Sequence, residues 1–89
     1  MRIEIAVELS ERVEPENRSE TRRFSREVEM DLPGLGDEIE LNVAGEPVFV
    51  IVTNVAPGEE DAPSHVTVRS DSLTFKSLRE DERWDEKLL

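Results

Sequence analysis

The chain has 89 residues, which is enough for one domain with one hydrophobic core. It has no cysteine, so disulfides, thiolate metal sites and thiol catalysis are excluded. Twenty-two acidic residues against eleven basic ones give a net charge of −11, which disfavours nucleic acid as a ligand. Ten valines, four isoleucines and four threonines against four alanines favour strands over helices.

The first third of the chain predicts a hairpin. Arg2 to Leu9 alternates apolar residues with charged or small ones, as a half-buried strand does. Ser10 to Thr21 contains one aliphatic residue, Val13, and is expected to form a long polar connection. Arg22 to Met30 alternates again and predicts the second strand. No unbroken apolar stretch opens the chain, so we expect no signal peptide or membrane span and a cytoplasmic location.

The middle third predicts a second hairpin. Asp31 to Asp37 contains a Pro-Gly pair and a second glycine, which indicates a sharp change of direction. Glu38 to Val43 and Val48 to Val55 follow as strands joined by a short turn at residues 44–47. Val48 to Val55 is apolar on both faces, which indicates a central strand or one that contacts a partner.

The last third predicts an acidic loop, two short strands and a helical tail. Ala56 to Ser64 holds three consecutive acids, and the short strands are predicted at residues 65–69 and 73–76. Ser77 to Glu80 has capping-box spacing, and Trp84 and Leu88 are four residues apart, on one face of a helix. We therefore divide the chain into a domain at residues 1–78 and a helical tail at 79–89 that either packs over Phe49 and Ile51 or stays frayed.

These elements predict a mainly β fold, a small SH3-like or OB-like barrel of five or six antiparallel strands with a short C-terminal helix. The seventeen side chains expected inside the barrel are Ile3, Ile5, Val7, Leu9, Phe24, Val28, Met30, Ile39, Leu41, Val43, Val48, Val50, Val52, Val66, Val68, Leu73 and Phe75.

Three segments carry a resemblance to known sequences. Arg26 to Pro33 would be a strand that ends in Leu-Pro, Gly36 to Leu41 begins with Gly-Asp, and Val48 to Val52 is the strand after it. This pattern resembles small uncharacterised bacterial and phage all-β proteins with an SH3-like barrel. The resemblance implies the barrel and carries no active site.

No residue pattern indicates catalysis or a cofactor. His65 is the only histidine, and neighbouring Ser64 would point to the opposite face of a strand, so the two cannot form a nucleophile and base. The adjacent acids Glu59, Glu60 and Asp61 lack the alternating ligand spacing of an EF-hand loop and are expected to be a solvated tip. Neither an enzyme nor a metal or cofactor site is predicted.

The arrangement of charge is the feature that bears on function. No lysine or arginine lies between Arg26 and Arg69, while ten acids do. That stretch serves either as a solubilising surface or as a negative face that docks on a basic protein. The apolar second face of Val48 to Val55 could supply the centre of such a docking site.

The leading hypothesis is a non-catalytic accessory or protein-interaction domain that binds a protein partner or itself, through a strand edge or through that second face. The alternative is an acidic inhibitor that mimics nucleic acid and blocks a basic protein. A small hydrolase or metal-dependent enzyme ranks third. The candidate partner-binding residues are Phe49, Ile51, Trp84, Leu88, Glu59, Glu60 and Asp61.

Overall fold

The computed structural model describes residues 1–89 as a single six-stranded sheet with one short helix. The elements in chain order are β1 (Arg2–Val13), β2 (Arg18–Glu29), β3 (Glu38–Val43), β4 (Glu46–Ala56), β5 (Ser64–Arg69), α1 (Phe75–Arg79) and β6 (Asp85–Leu88). Across the sheet the strands follow the order β3-β4-β5-β1-β2-β6. The chain contains no helix that could span a membrane.

The prediction of a mainly β fold with a short helix is confirmed, and the prediction of a closed antiparallel barrel is wrong. β3 and β6 each have one neighbour and are the two open edges of the sheet. The sheet is mixed, because β5 lies parallel to β1 between two antiparallel hairpins. A parallel neighbour requires a long connection, and β2, β3 and β4 together supply it between β1 and β5.

The first hairpin is longer than the sequence predicts. β1 and β2 stay paired out to Val13 and Arg18, so most of the predicted polar connection is strand. Cross-strand polar contacts support this extension, including a 2.6 Å hydrogen bond between the hydroxyl oxygens of Ser10 and Thr21. Backbone pairing does not need apolar side chains, and the alternation rule detects a strand only where one face is buried.

All seventeen predicted interior side chains belong to the core or pack against it. The residues that the prediction missed are Leu78 and Trp84 in the buried cluster, and Leu32 and Val55 at its margin. Leu78 and Phe75 are the buried residues of α1, so the helix covers this face of the sheet, which we call the core face. The opposite face, called the outer face, has no helix over it.

The C-terminal prediction needs correction at three points. The capping box is formed by Thr74 and Ser77, and α1 begins at Phe75, four residues before the predicted tail. Residues 73–76 therefore form no strand. The segment Asp85–Leu88, predicted as helix, is the edge strand β6 and pairs with β2.

A buried carboxylate joins the segment after α1 to the β3–β4 hairpin. Asp81 accepts hydrogen bonds from the Ala44 backbone N–H (3.0 Å) and from the Arg83 backbone N–H (3.1 Å), Nε (2.9 Å) and Nη2 (2.7 Å). Arg83 also donates to the backbone oxygen of Asn42. The Arg83 hydrogen bonds are the largest cause that lowers the pKa of Asp81 well below its ordinary value.

Candidate functional site

Phe49 and Ile51 lie in the middle of β4 on the outer face. Their neighbours Val50 and Val52 point into the core, so the alternation of the strand sends Phe49 and Ile51 the other way. Phe49 is 60% exposed, and Ile51 is partly exposed. The predicted cover by the C-terminal tail is absent, because α1 and Trp84 pack on the core face.

A β-bulge ends this apolar strip. The pairing of β4 with β5 shifts between Val52 and Asn54, so Thr53 is an extra residue. After the shift, Val55 packs against the core rather than on the outer face. The apolar second face predicted for Val48 to Val55 is therefore limited to Phe49 and Ile51.

Acidic side chains of the edge strand border this strip. Glu38 is paired with Ile51 and Glu40 with Phe49 across the β3–β4 ladder, and both glutamates are exposed. Neither makes an ion pair, although arginines and the N-terminal amine form eight ion pairs with acids elsewhere in the chain. Arg69, opposite Ile51 on the β5 side, is the basic residue paired across the ladder with this strip.

The backbone of β3 has a free edge at the same two glutamates. The Val52 N–H donates to the backbone oxygen of Asp37, and the pairing of β3 with β4 continues from there without a shift. Asp37, Ile39 and Leu41 therefore direct their backbone N–H and C=O groups toward β4. Glu38 and Glu40 consequently direct their N–H and C=O groups away from the sheet. Unpaired donors and acceptors at an edge are a template for another strand.

Two of the predicted site residues lie far from this strip. Trp84 is 7% exposed, in the core cluster, with the Arg26 guanidinium 5.8 Å from its ring centroid. Leu88 is 58% exposed on β6, four strands from β4, which corresponds to about 19 Å at the usual strand spacing. Neither can share a contact surface with Phe49.

The predicted acidic tip forms a separate feature at one end of the sheet. Glu59, Glu60 and Asp61 are exposed in the loop between β4 and β5, and none of them makes an ion pair. The loop is fixed by the Gly58 N–H, which donates to the hydroxyl of Ser64 at 2.9 Å. Seven residues separate Phe49 from the end of β4, or roughly 23 Å along an extended strand.

Ser64 and His65, the residues considered for catalysis, lie next to each other in β5. Ser64 is buried and holds Gly58, whereas His65 is exposed with its Nδ1 3.6 Å from a carboxylate oxygen of Glu4, so the two do point to opposite faces. No group of three or more His, Asp or Glu side chains is arranged to hold a metal ion.

The other edge of the sheet carries a charge cluster that the sequence did not indicate. Glu86 on β6 accepts two hydrogen bonds from Arg79 and one from Arg22, each 2.8 Å long. The Arg79 contacts are the main cause that lowers the pKa of Glu86. The sequence feature that could have indicated this cluster is the spacing of Trp84, Glu86 and Leu88 at every second residue, because this spacing places all three side chains on one face of a strand.

No family model, curated protein or solved structure matches this chain.

Proposed function

We propose that this chain is a non-catalytic protein-interaction module that binds a basic, extended segment of a partner along the free edge of β3. The observation that carries the proposal is the combination of Glu38 and Glu40, two unpaired acids whose backbone groups face the open edge. Phe49 and Ile51 lie directly behind these acids on the same face.

The partner's chemistry follows from the geometry of strand addition. A strand paired with β3 has alternate side chains on the outer face, and those side chains lie beside Glu38 and Glu40. Lysine or arginine at these positions meets an opposite charge across the ladder, a contact of roughly 0.2 to 1 kcal/mol per pair. Their aliphatic stems can cover Phe49 and Ile51. The other alternate positions lie beside Ile39 and Leu41 and favour apolar residues.

A synthetic peptide tests this function directly. The probe is a fluorescein-labelled hexapeptide that alternates valine with lysine, and the control peptide has the same composition with three valines followed by three lysines. Fluorescence anisotropy should give a dissociation constant about tenfold lower for the alternating peptide, because only this peptide places all its lysines on one face of a strand.

Two variants locate the binding surface. Glu38→Gln with Glu40→Gln keeps the shape of the edge and should weaken the alternating peptide about tenfold at low salt, with little remaining salt dependence. The matched control is Glu14→Gln with Glu16→Gln, which removes two exposed charges from the turn between β1 and β2. Equal affinity for the two peptides, or equal loss in both double variants, would refute the proposal.

The acidic tip supports the alternative function, a mimic of nucleic acid, because its three carboxylates have no ion-pair partners. A polylysine of about 30 residues, long enough to reach either surface, distinguishes the two functions. A mimic loses this ligand when Glu59, Glu60 and Asp61 are replaced by their amides, whereas a β3 binder loses it when Glu38 and Glu40 are replaced.

A further inference from the structure

The outer edge of β6 is open and its backbone geometry is defined. The Leu89 N–H donates to the backbone oxygen of Thr21. Because hydrogen-bonding residues alternate along an antiparallel ladder, Asp85, Lys87 and Leu89 direct their backbone N–H and C=O groups toward β2. Glu86 and Leu88 therefore direct their N–H and C=O groups away from the sheet. This edge is independent of the β3 edge, which lies at the opposite side of the sheet.

The side chains of β6 are complementary to a second, antiparallel copy of the same strand. When Glu86 lies opposite Glu86 of the second copy, Asp85 lies opposite Lys87 and Leu88 lies opposite Trp84. The Asp85 and Lys87 pair occurs twice, on the outer face. Leu88, 58% exposed in the single chain, meets an aromatic residue on the core face.

The one like-charge pair in this register is already compensated within each copy. Each Glu86 carboxylate is bound by Arg79 and Arg22, so four guanidinium groups surround the two carboxylates at the two-fold axis. A register shifted by two residues would instead place Lys87 against Lys87. Neither side chain of that pair would have a compensating partner, since Lys87 makes no ion pair and lies beside Arg23.

The β3 edge does not have this complementarity. An antiparallel pair of two β3 strands centred on Ile39, the register that pairs most of the free edge, places Glu38 of each copy against Glu40 of the other, which is repulsive. One backbone acceptor at its end, the oxygen of Asn42, is already bound by Arg83. The two edges thus differ in the partner that they suit.

We propose that β6 is a self-association edge, through which two copies form a continuous twelve-stranded sheet with Glu86 at the two-fold axis. The contact strand is four residues long, so the interface lies at the small end of specific interfaces, and the dimer dissociates readily on dilution. This inference is independent of the proposed binding of a basic segment at β3.

Charge exchange at Asp85 and Lys87 tests both the dimer and its register. Sedimentation velocity over a concentration series should show a monomer–dimer equilibrium for the native chain. Asp85→Lys puts two lysines opposite each other in both outer-face pairs, and Lys87→Asp puts two aspartates there. Each variant alone should therefore be monomeric at concentrations where the native chain is half dimeric.

Mixing the two variants should restore dimerisation, because both outer-face pairs of the heterodimer join opposite charges. The lysine introduced at position 85 of one copy lies opposite the aspartate introduced at position 87 of the other, and the unchanged Lys87 of the first copy lies opposite the unchanged Asp85 of the second. The double variant Asp85→Lys with Lys87→Asp also has both opposite-charge pairs, in reversed order, and should dimerise with about the native dissociation constant.

Two control variants show whether a loss of dimerisation comes from the pairs at positions 85 and 87 or only from the change in net charge. Glu80→Lys and Lys76→Asp are exposed controls with the same charge reversals, and both should dimerise like the native chain. Emission of Trp84, the single tryptophan, verifies that each variant is folded.

The possible results separate clearly. A native chain that remains monomeric at millimolar concentration overturns the inference. If Asp85→Lys dimerises like the native chain, the register centred on Glu86 is wrong, because that register places the introduced lysine opposite Lys87 of the second copy. A monomeric native chain that still binds the alternating peptide would refute this inference alone and leave the proposed function supported.

Discussion

Replacing Asp81 with asparagine should destabilise the fold at neutral pH by about 2 kcal/mol, because this buried carboxylate joins the C-terminal segment to the β3–β4 hairpin. It accepts three hydrogen bonds from Arg83 and one from the Ala44 backbone. Asparagine keeps one oxygen, but its amide N–H groups then face the N–H donors of Arg83. The charge-assisted contacts, typically about 1.5 to 3 kcal/mol, are lost. Arg83 is half exposed, so we take the lower part of this range.

The assay is urea unfolding followed by Trp84 fluorescence, with Glu82→Gln as the control for removing one exposed acid from the same segment. In a domain of this size the loss corresponds to a decrease in Tm of roughly 8 to 16 °C. The control should remain within about 0.5 kcal/mol of the native chain.

The pH dependence provides a second test of the same contact. The pKa of Asp81 is lowered in the folded chain, so as acid is added the unfolded chain takes up the proton first and protonation favours unfolding. The stabilising contribution is complete above the ordinary aspartate pKa of about 4 and is lost progressively as the pH falls below it. The difference in unfolding free energy between the native chain and Asp81→Asn should therefore narrow from about pH 5 toward about pH 2. A difference that stays constant over this range would refute the assignment.

Three further predictions concern the core, the acidic loop and the exposed strip. Leu78→Ala should cost about 2 to 5 kcal/mol in urea unfolding, because Leu78 is the fully buried residue by which α1 packs on the core; a loss below about 1 kcal/mol would contradict its place there. Gly58→Ala should lower the Tm, since the added Cβ would lie 2.4 Å from the backbone oxygen of Ala62, whereas Gly34→Ala, with 3.4 Å to a flexible Asp37 side chain, should not. Phe49→Ser should change the unfolding free energy by no more than about 0.5 kcal/mol, and a large loss would show that this side chain is covered.

Much of the sheet was predictable because alternation is a local property of the backbone. Ile3, Ile5 and Val7 are apolar at every second position, and a strand that buries one face requires this pattern. The turn at Ala44 and Gly45 was predictable for a similar reason. Both residues have positive φ (51° and 84°), and the second is a glycine, the residue that adopts such angles without strain.

The candidate site was only partly predictable. The sequence identified Phe49 and Ile51 as the second face of β4, and the acid-only stretch that contains Glu38 and Glu40. It wrongly grouped Trp84 and Leu88 with them, because residues four apart share a face in a helix and also in a strand. Local spacing cannot distinguish these two structures when the segment is short.

The sequence by itself determined most of the buried side chains of the strands and the turns at residues 31–37 and 44–45, because both depend on neighbours a few residues apart. Only the tertiary structure decided that β5 lies parallel to β1, that residues 85–88 become an edge strand and that the sheet stays open. These outcomes depend on contacts between residues more than 60 positions apart, such as Arg22 with Glu86, and the free energies of such contacts are set by the whole arrangement. The two open edges, on which both proposals depend, follow from that strand order and from no local pattern.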